Sequence, residues 1–397
     1  MSKMKFSSLT DRVKGDAADV WNSHYQAVAE KKAGKDVIVL SVGDPDFDTP
    51  AAVIRAATKA MEAGDTHYTP VAGDIELRQC VAAKHQCSTG QVVSTENVII
   101  ASGAQNALFN VTMCIAEAGD EIIVLQPMYV TYEATIQAPN ATLIPVVLDE
   151  AAGFRLDEKR LVDAITARTT AIYFATPSNP TGVALNQQEL EVIGRVAIEN
   201  NLWIVSDEVY SELVFEGNFH HIATLPGMAE RTVTIGSMSK TFAMTGWRVG
   251  WAIGPAELIA NTEMVALCML YGLPGFIQKA ARYALLNCND EAERMRSIYR
   301  KRRDNLFDQL NRINGLRPLL PDAGMFLMLD VRDTGLSATE FVSQLYQQQA
   351  VSVLDATAFG SSAAGYVRIS FGIDDKELNR ACERIANFVS SLTEVSP

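Results

Sequence analysis

A chain of 397 residues is too long for one simple core and divides into two or three domains. With 48% hydrophobic and 20% charged residues it has the composition of an ordinary globular protein, and its formal net charge of −13 argues against a nucleic acid as its main partner. Its six cysteines form no CxxC pair and no Cys/His cluster with ligand spacing, so no metal site is expected and reduced thiols in a cytoplasmic protein are.

In chain order, the opening MSKMKFSSLTDRVKG lacks the apolar core of a secretory signal. Residues 1–48 read as an N-terminal arm: an amphipathic start, then the extended segment VIVLSVGDPDFDTP, whose prolines stop a helix. Residues 49–290 alternate helix and strand. The β-rich runs Val98–Ser102, Glu121–Leu125, Ala171–Thr176, Leu202–Ser206 and Thr232–Ile235 are separated by helical stretches, which predicts an α/β domain with a mostly parallel sheet covered on both faces. Within it, MVALCMLYGLPGFI (264–277) is too short and too broken by Gly and Pro to span a membrane, and reads as a buried helix end plus a loop. The charged run EAERMRSIYRKRRDNLFDQL (291–310) reads as a solvated connecting helix to which no site is assigned. Residues 291–397 as a whole read as a smaller α+β domain.

Ligands on a parallel sheet gather at the carboxyl ends of its strands, and the chemically able residues of this chain follow strands. SGAQNALF, from Ser102, opens a helix, so its backbone amides suit an anion, although a plain N-cap has the same appearance. PSNPTG (177–182) is a rigid turn that presents the Asn179 amide. SDEVY places the Asp207 carboxylate at an apolar strand end, where it needs a cationic partner or a proton, and puts Tyr210 three residues on. In SMSKTFAMTGWRVG (237–250), Lys240 stands among small residues between Ser237 and Arg248. That lysine is either a solvated side chain at a helix start or a Schiff-base former beside a phosphate site.

Taken in this order, PSNPTG, SDEVY, SMSKTFAMTGWRVG and the late arginine of YVRISFG resemble the fold type I, pyridoxal-phosphate-dependent class I/II aminotransferases, and the resemblance runs from VGDPDFDTP to the C-terminal domain. It implies that Lys240 forms the internal aldimine with pyridoxal 5'-phosphate and serves as general acid and base. It implies that Asp207 pairs with the pyridine nitrogen, that Asn179 and Tyr210 meet the ring oxygen, and that Tyr129 stacks on the ring. Ser237, Arg248, Ser102, Gly103 and Ala104 would hold the phosphate. Tyr68, in THYTPVAG, would reach the phosphate of a neighbouring subunit, which implies a homodimer. Arg368 would grip the substrate α-carboxylate with help from Asn179 and the backbone at Gly43. Arginine suits that task because its planar fork matches a carboxylate.

WNSHYQA, VLSVGDPDFDTP, QPMYVTYEA and ALCMLYG followed by PGFIQ are further similar to stretches of bacterial arginine–pyruvate aminotransferases. That narrower resemblance implies L-arginine or another basic amino acid as donor and pyruvate as acceptor. No acidic residue for a guanidinium is evident; His24, Tyr25 and Tyr271 are candidate pocket walls. The same core also serves aspartate, aromatic or methionine aminotransferases, and lyases or arginine oxidases built on this scaffold. A regulator carrying such a domain needs a DNA-binding segment, and none is seen before residue 40.

Overall fold

The computed structural model describes residues 4–14 and 21–394; residues 1–3 and 15–20 of the N-terminal arm lie outside it, as do 395–397. After a helix at Trp21–Lys32 the chain enters strand β1 (Ile38–Val39). The central sheet follows, built from β2 (Val98–Ala101), β3 (Glu121–Gln126), β4 (Thr142–Val147), β5 (Thr169–Ala175), β6 (Trp203–Asp207), β7 (Thr232–Ser237) and β8 (Gly250–Ile253). Its order is β2-β8-β7-β6-β5-β3-β4. The pairs from β7 through β4 are parallel, whereas β8 runs antiparallel to both β2 and β7. Each of the five expected runs is a strand to within a residue or two. The central strands are largely buried on both faces, as a continuous apolar run such as Ile122–Leu125 requires. The edge strand β4 is more exposed than the central strands and carries Pro145, which an edge position tolerates.

Helix Ala104–Ile115 packs Ala107, Leu108 and Val111 on the sheet. Burying each of the two larger side chains contributes about 1.5–3 kcal/mol, which anchors the helix with its first turn at the end of β2. A second, antiparallel sheet lies entirely in the C-terminal part. It comprises β9 (Arg317–Leu319), β10 (Phe326–Asp330), β12 (Leu354–Asp355) and β13 (Tyr366–Ser370), in the order β12-β13-β10-β9. Strand β11 (Val351–Ser352) pairs instead with β1 in parallel. The arm is thereby stitched to the C-terminal part: Ile38 and Leu40 are fully buried in its core, and the Ser370 N–H donates to the Leu40 carbonyl at 2.8 Å.

Two expectations are corrected. The charged helix (Asn289–Leu310) is not a solvated connector, because Met295, Tyr299, Arg302, Arg303, Leu306 and Leu310 are buried along one stripe. Arg302 enters the core as an ion pair, donating through Nη1 and Nη2 to Asp46 at 2.7 and 2.9 Å and through Nε to Asp375 at 2.8 Å. Its guanidinium also lies over Phe47, 5.3 Å from the ring centre. The helix thus fixes the GDPDF segment beside the cavity described below. The second correction concerns 264–277: Met264, Leu267, Met269, Leu270 and Tyr271 are exposed in the single chain, and only neighbours such as Ala266 and Leu273 are buried.

Candidate active site

The carboxyl ends of β3, β5, β6 and β7 converge with the arm and with β10 and β13 on a cavity of about 250 Å³. Gly43, Ala104, Tyr129, Asn179, Asp207, Tyr210, Ser237, Lys240, Arg248 and Arg368 all line it. Of the residues expected to hold the cofactor, three do not. Ser102 and Gly103 stand just behind, the Ser102 carbonyl accepting from Arg248 Nη2 at 3.4 Å. Their amides are not free as expected: Ser102 N–H donates to Asn106 Oδ1 and Gly103 N–H to the Ala101 carbonyl. The unpaired amides of this turn belong to the next residues, where the helix begins at Ala104. Tyr68 is 88% exposed and lies against Tyr271, ring centres 4.9 Å apart, away from its own chain's cavity.

The anion end of the cavity closes only because glycine is present. A Cβ at Gly103 (φ +81°) would stand 2.5 Å from Arg248 Nη2, and one at Gly250 would stand 2.6 Å from the Ala104 amide nitrogen. Ser237 Oγ lies 2.9 Å from Ser239 Oγ, so a pair of hydroxyls faces the same end. Hydroxyls, a helix start and a guanidinium together make a phosphate-sized cradle.

Asp207 ends β6 and is almost fully buried. Burial raises its carboxyl to about 6, against the lowering effect of hydrogen bonds from the Tyr132 hydroxyl and the Val209 amide. Such a carboxylate gains by meeting a cation. Lys240 donates to the Gly43 carbonyl at 2.5 Å. Burial lowers its amine to about 8, with Asp44 opposing and Arg368 and Arg248 adding to the fall. A sizeable fraction of that amine is neutral and nucleophilic near pH 7.5. Gly43 cannot be replaced without moving Phe326, whose ring a Cβ would overlap.

Arg368 is buried to 1% exposure without a carboxylate partner among the described residues. It donates through Nη1 to Asn179 Oδ1 at 2.8 Å and through Nη2 to the Ser41 carbonyl at 2.7 Å, while Nε has no partner. The guanidinium lies over Phe326 and Phe359, 4.0 and 4.9 Å from the ring centres. Burial lowers it to about 10. A buried cation with a donor to spare is built to receive an anion. Because Asn179 spends its oxygen on Arg368, its NH₂ group remains for a second acceptor.

Several cavity residues were not legible in the sequence. Trp21, Gln105, Ser239, Thr245 and Phe326 line the cavity, brought there by the arm, the helix after β2, the loop after β7 and β10. His24 faces Ser41 at 2.9 Å and Trp21 edge-on, behind the lining. Tyr25 is exposed, as is Tyr271, and neither lines the cavity.

The family model for aminotransferase class I and II matches residues 35–385. The chain belongs to the class I and II aminotransferases. It is 48% identical to an arginine–pyruvate transaminase of Pseudomonas aeruginosa over 96% of this chain and 98% of that protein. It is 35% identical to an aspartate/prephenate aminotransferase of Thermus thermophilus over 91% of this chain and 93% of that one. A solved aspartate aminotransferase from Thermus thermophilus with maleate superposes with a TM-score of 0.92 at 33% identity, covering 97% of this chain and all of that one. The protein is therefore a transaminase acting on an amino acid and a 2-oxo acid, and its family uses pyridoxal phosphate. The residues present fit that group: hydroxyls, a helix start and a guanidinium for its phosphate, a buried acid for its ring nitrogen and a lowered amine for its aldehyde. Among the described residues no cluster of metal-ligating side chains is found, and no helix is long and apolar enough to cross a membrane.

Proposed function

We propose that the protein transfers the α-amino group of L-arginine, or another basic amino acid, to pyruvate. The 48% identity across nearly the whole chain to an arginine–pyruvate transaminase carries this reading. In the proposal Lys240 holds the cofactor and, once freed, moves the substrate Cα proton; Asp207 keeps the ring nitrogen protonated; Asn179 and Tyr210 bond the ring oxygen. Tyr129 covers the ring face. Ser237, Arg248 and the helix start at Ala104, backed by Ser102 and Gly103, hold the phosphate. Arg368 takes the α-carboxylate between Asn179 and the backbone at Gly43. The bound cofactor supplies a pyridinium that accepts electron density from Cα, and the chain's own residues supply position and protons.

Charge supports a donor without a second carboxylate. The cationic side chains lining the cavity are Lys240, Arg248 and Arg368, and each already has a task. Among the described residues the lining holds no further cation for a side-chain carboxylate, whereas it includes the aromatic Trp21, a ring type that attracts a guanidinium. The experiment is a panel of amino donors with pyruvate and with 2-oxoglutarate. Alanine formed fastest from arginine or lysine supports the reading; aspartate or aromatic donors outpacing them would refute it.

The active unit is proposed to be a homodimer in the cytoplasm. Tyr68, Met264, Leu267, Met269 and Tyr271 leave apolar surface bare in one chain, more than a monomer gains from exposing. Tyr68, turned from its own cavity, is free to serve the partner's. The six free cysteines suit a reducing compartment. The domain division 1–48, 49–290 and 291–397 is retained as a proposal, supported by two main sheets that each fall within one segment.

A further inference from the structure

Asp207 has a buried partner that the expected constellation does not contain. The Tyr132 hydroxyl donates to its Oδ2 at 2.7 Å, while Oδ1 accepts only the longer Val209 N–H at 3.3 Å. Tyr132 is 2% exposed and does not line the cavity, so its hydroxyl reaches the site only through Asp207. Its placement is enforced. It opens the short helix Tyr132–Gln137, whose first turn is laced to Gln105: Thr131 Oγ1 donates to Gln105 Oε1 at 2.5 Å, and Gln105 Nε2 donates to Thr135 Oγ1 at 2.9 Å. The Tyr129 ring meets the Tyr132 ring edge-on at 6.0 Å. One segment thus presents a ring face to the cavity and a hydroxyl to the acid beneath it.

We propose that Tyr132 is a positioning residue whose hydroxyl keeps the Asp207 carboxylate ionised and aimed into the cavity, so that the cofactor ring nitrogen retains its proton. The inference rests on the reading that Asp207 meets that nitrogen. Its physical basis is direct. A carboxylate in an apolar site takes up a proton unless donors stabilise its charged form, and Tyr132 is the shorter of two donors. Burial and the Asp207 charge hold the phenol far above its ordinary range, so it remains a donor at every working pH. Tyr129 and Tyr210 are the other phenols coupled to this group, both also raised by burial. Glu208, next in the chain, pushes Asp207 upward, but its own carboxylate is taken up by Ser206 and His221.

The test uses Tyr132→Phe, which removes the hydroxyl and keeps the ring, and site-specific 3,5-difluorotyrosine at 132, which keeps the shape and strengthens the donor. With phenylalanine the cofactor dissociation constant is expected to rise about tenfold. The donor half-reaction is expected to slow 10- to 100-fold while KM for the donor changes less than threefold, since Arg368 is untouched. The acid limb of the pH–rate profile is expected to move up by about one pH unit, and difluorotyrosine is expected to move it down. Equal or same-direction shifts, or a Tyr132→Phe enzyme with unchanged cofactor affinity and pH profile, overturn the proposal. Should Tyr132→Phe fail to fold, the difluorotyrosine shift alone decides. Asp207→Asn separates the two levels: if it too leaves cofactor affinity unchanged, the reading of Asp207 itself fails; if it weakens binding while Tyr132→Phe does not, only this inference fails.

Discussion

Replacing Arg368 by glutamine is the perturbation whose size the structure sets best. The guanidinium is buried, bonded to two neutral oxygens, and lowered from its ordinary value to about 10. A fall of that size corresponds to ~3 kcal/mol of strain in the charged form. The sign follows from the unfolded value lying higher: the strain is present at all pH below about 10 and fades as pH climbs from there toward the ordinary arginine value. A substrate carboxylate relieves part of it, and this relief is binding energy. Arg368→Gln is therefore expected to lower kcat/KM for the amino donor by about 30- to 150-fold, the equivalent of ~2–3 kcal/mol. Retained cofactor and an unliganded melting temperature no lower than that of the parent are expected with it. Steady-state kinetics over a range of donor concentrations, with thermal melts of both proteins at pH 8, measure this. A kcat/KM for the amino donor within threefold of the parent would refute the role. So would a loss of 3–5 kcal/mol in the unliganded protein, the signature of breaking an already compensated buried pair.

Other outcomes follow from the same geometry. Asp207→Asn is expected to stabilise the cofactor-free protein at pH 8 but not at pH 4. The folded carboxyl is raised to about 6 from 3.8, so its contribution is lost as pH rises through that window; the gain has an upper size of ~3 kcal/mol, read by melting the cofactor-free protein at both pH values, while turnover falls by several orders of magnitude. Removing the indole in Trp21→Ala is expected to raise KM for arginine about 5- to 30-fold, from ~1–2 kcal/mol of cation–π contact, and to leave KM for a small apolar donor nearly unchanged; equal effects on both would count against stacking. Tyr68→Ala is expected to weaken cofactor binding without altering the fold of the single chain, and mixing it with a Lys240→Ala chain is expected to restore partial activity only if sites are shared between subunits.

The fold was legible where physics is local. Buried parallel strands are continuous apolar runs, and turns after them are marked by Gly and Pro, so Ser102, Asn179, Asp207 and Ser237 fell at strand ends from spacing alone. The antiparallel placement of β8 was not legible, because GWAI reads the same in either direction. The charged helix misled because arginines dominate it, yet Met295, Tyr299, Leu306 and Leu310 recur at helical intervals and carry Arg302 and Arg303 inward with them. The MVALCML stretch misled in the opposite sense, since apolar residues imply burial while most of these lie exposed on the single chain. Tyr132 escaped notice for a different reason. It stands within QPMYVTYEA, but its partner lies 75 positions away, and only the assembled sheet brings the two together.

The central claim is that the amine of Lys240 carries the cofactor opposite Asp207. Reducing the loaded protein with borohydride and mapping the modified peptide by mass tests it most directly. The account predicts a single phosphopyridoxyl group on Lys240, absent after Lys240→Ala. Label on another lysine, or turnover that survives Lys240→Ala, would contradict it.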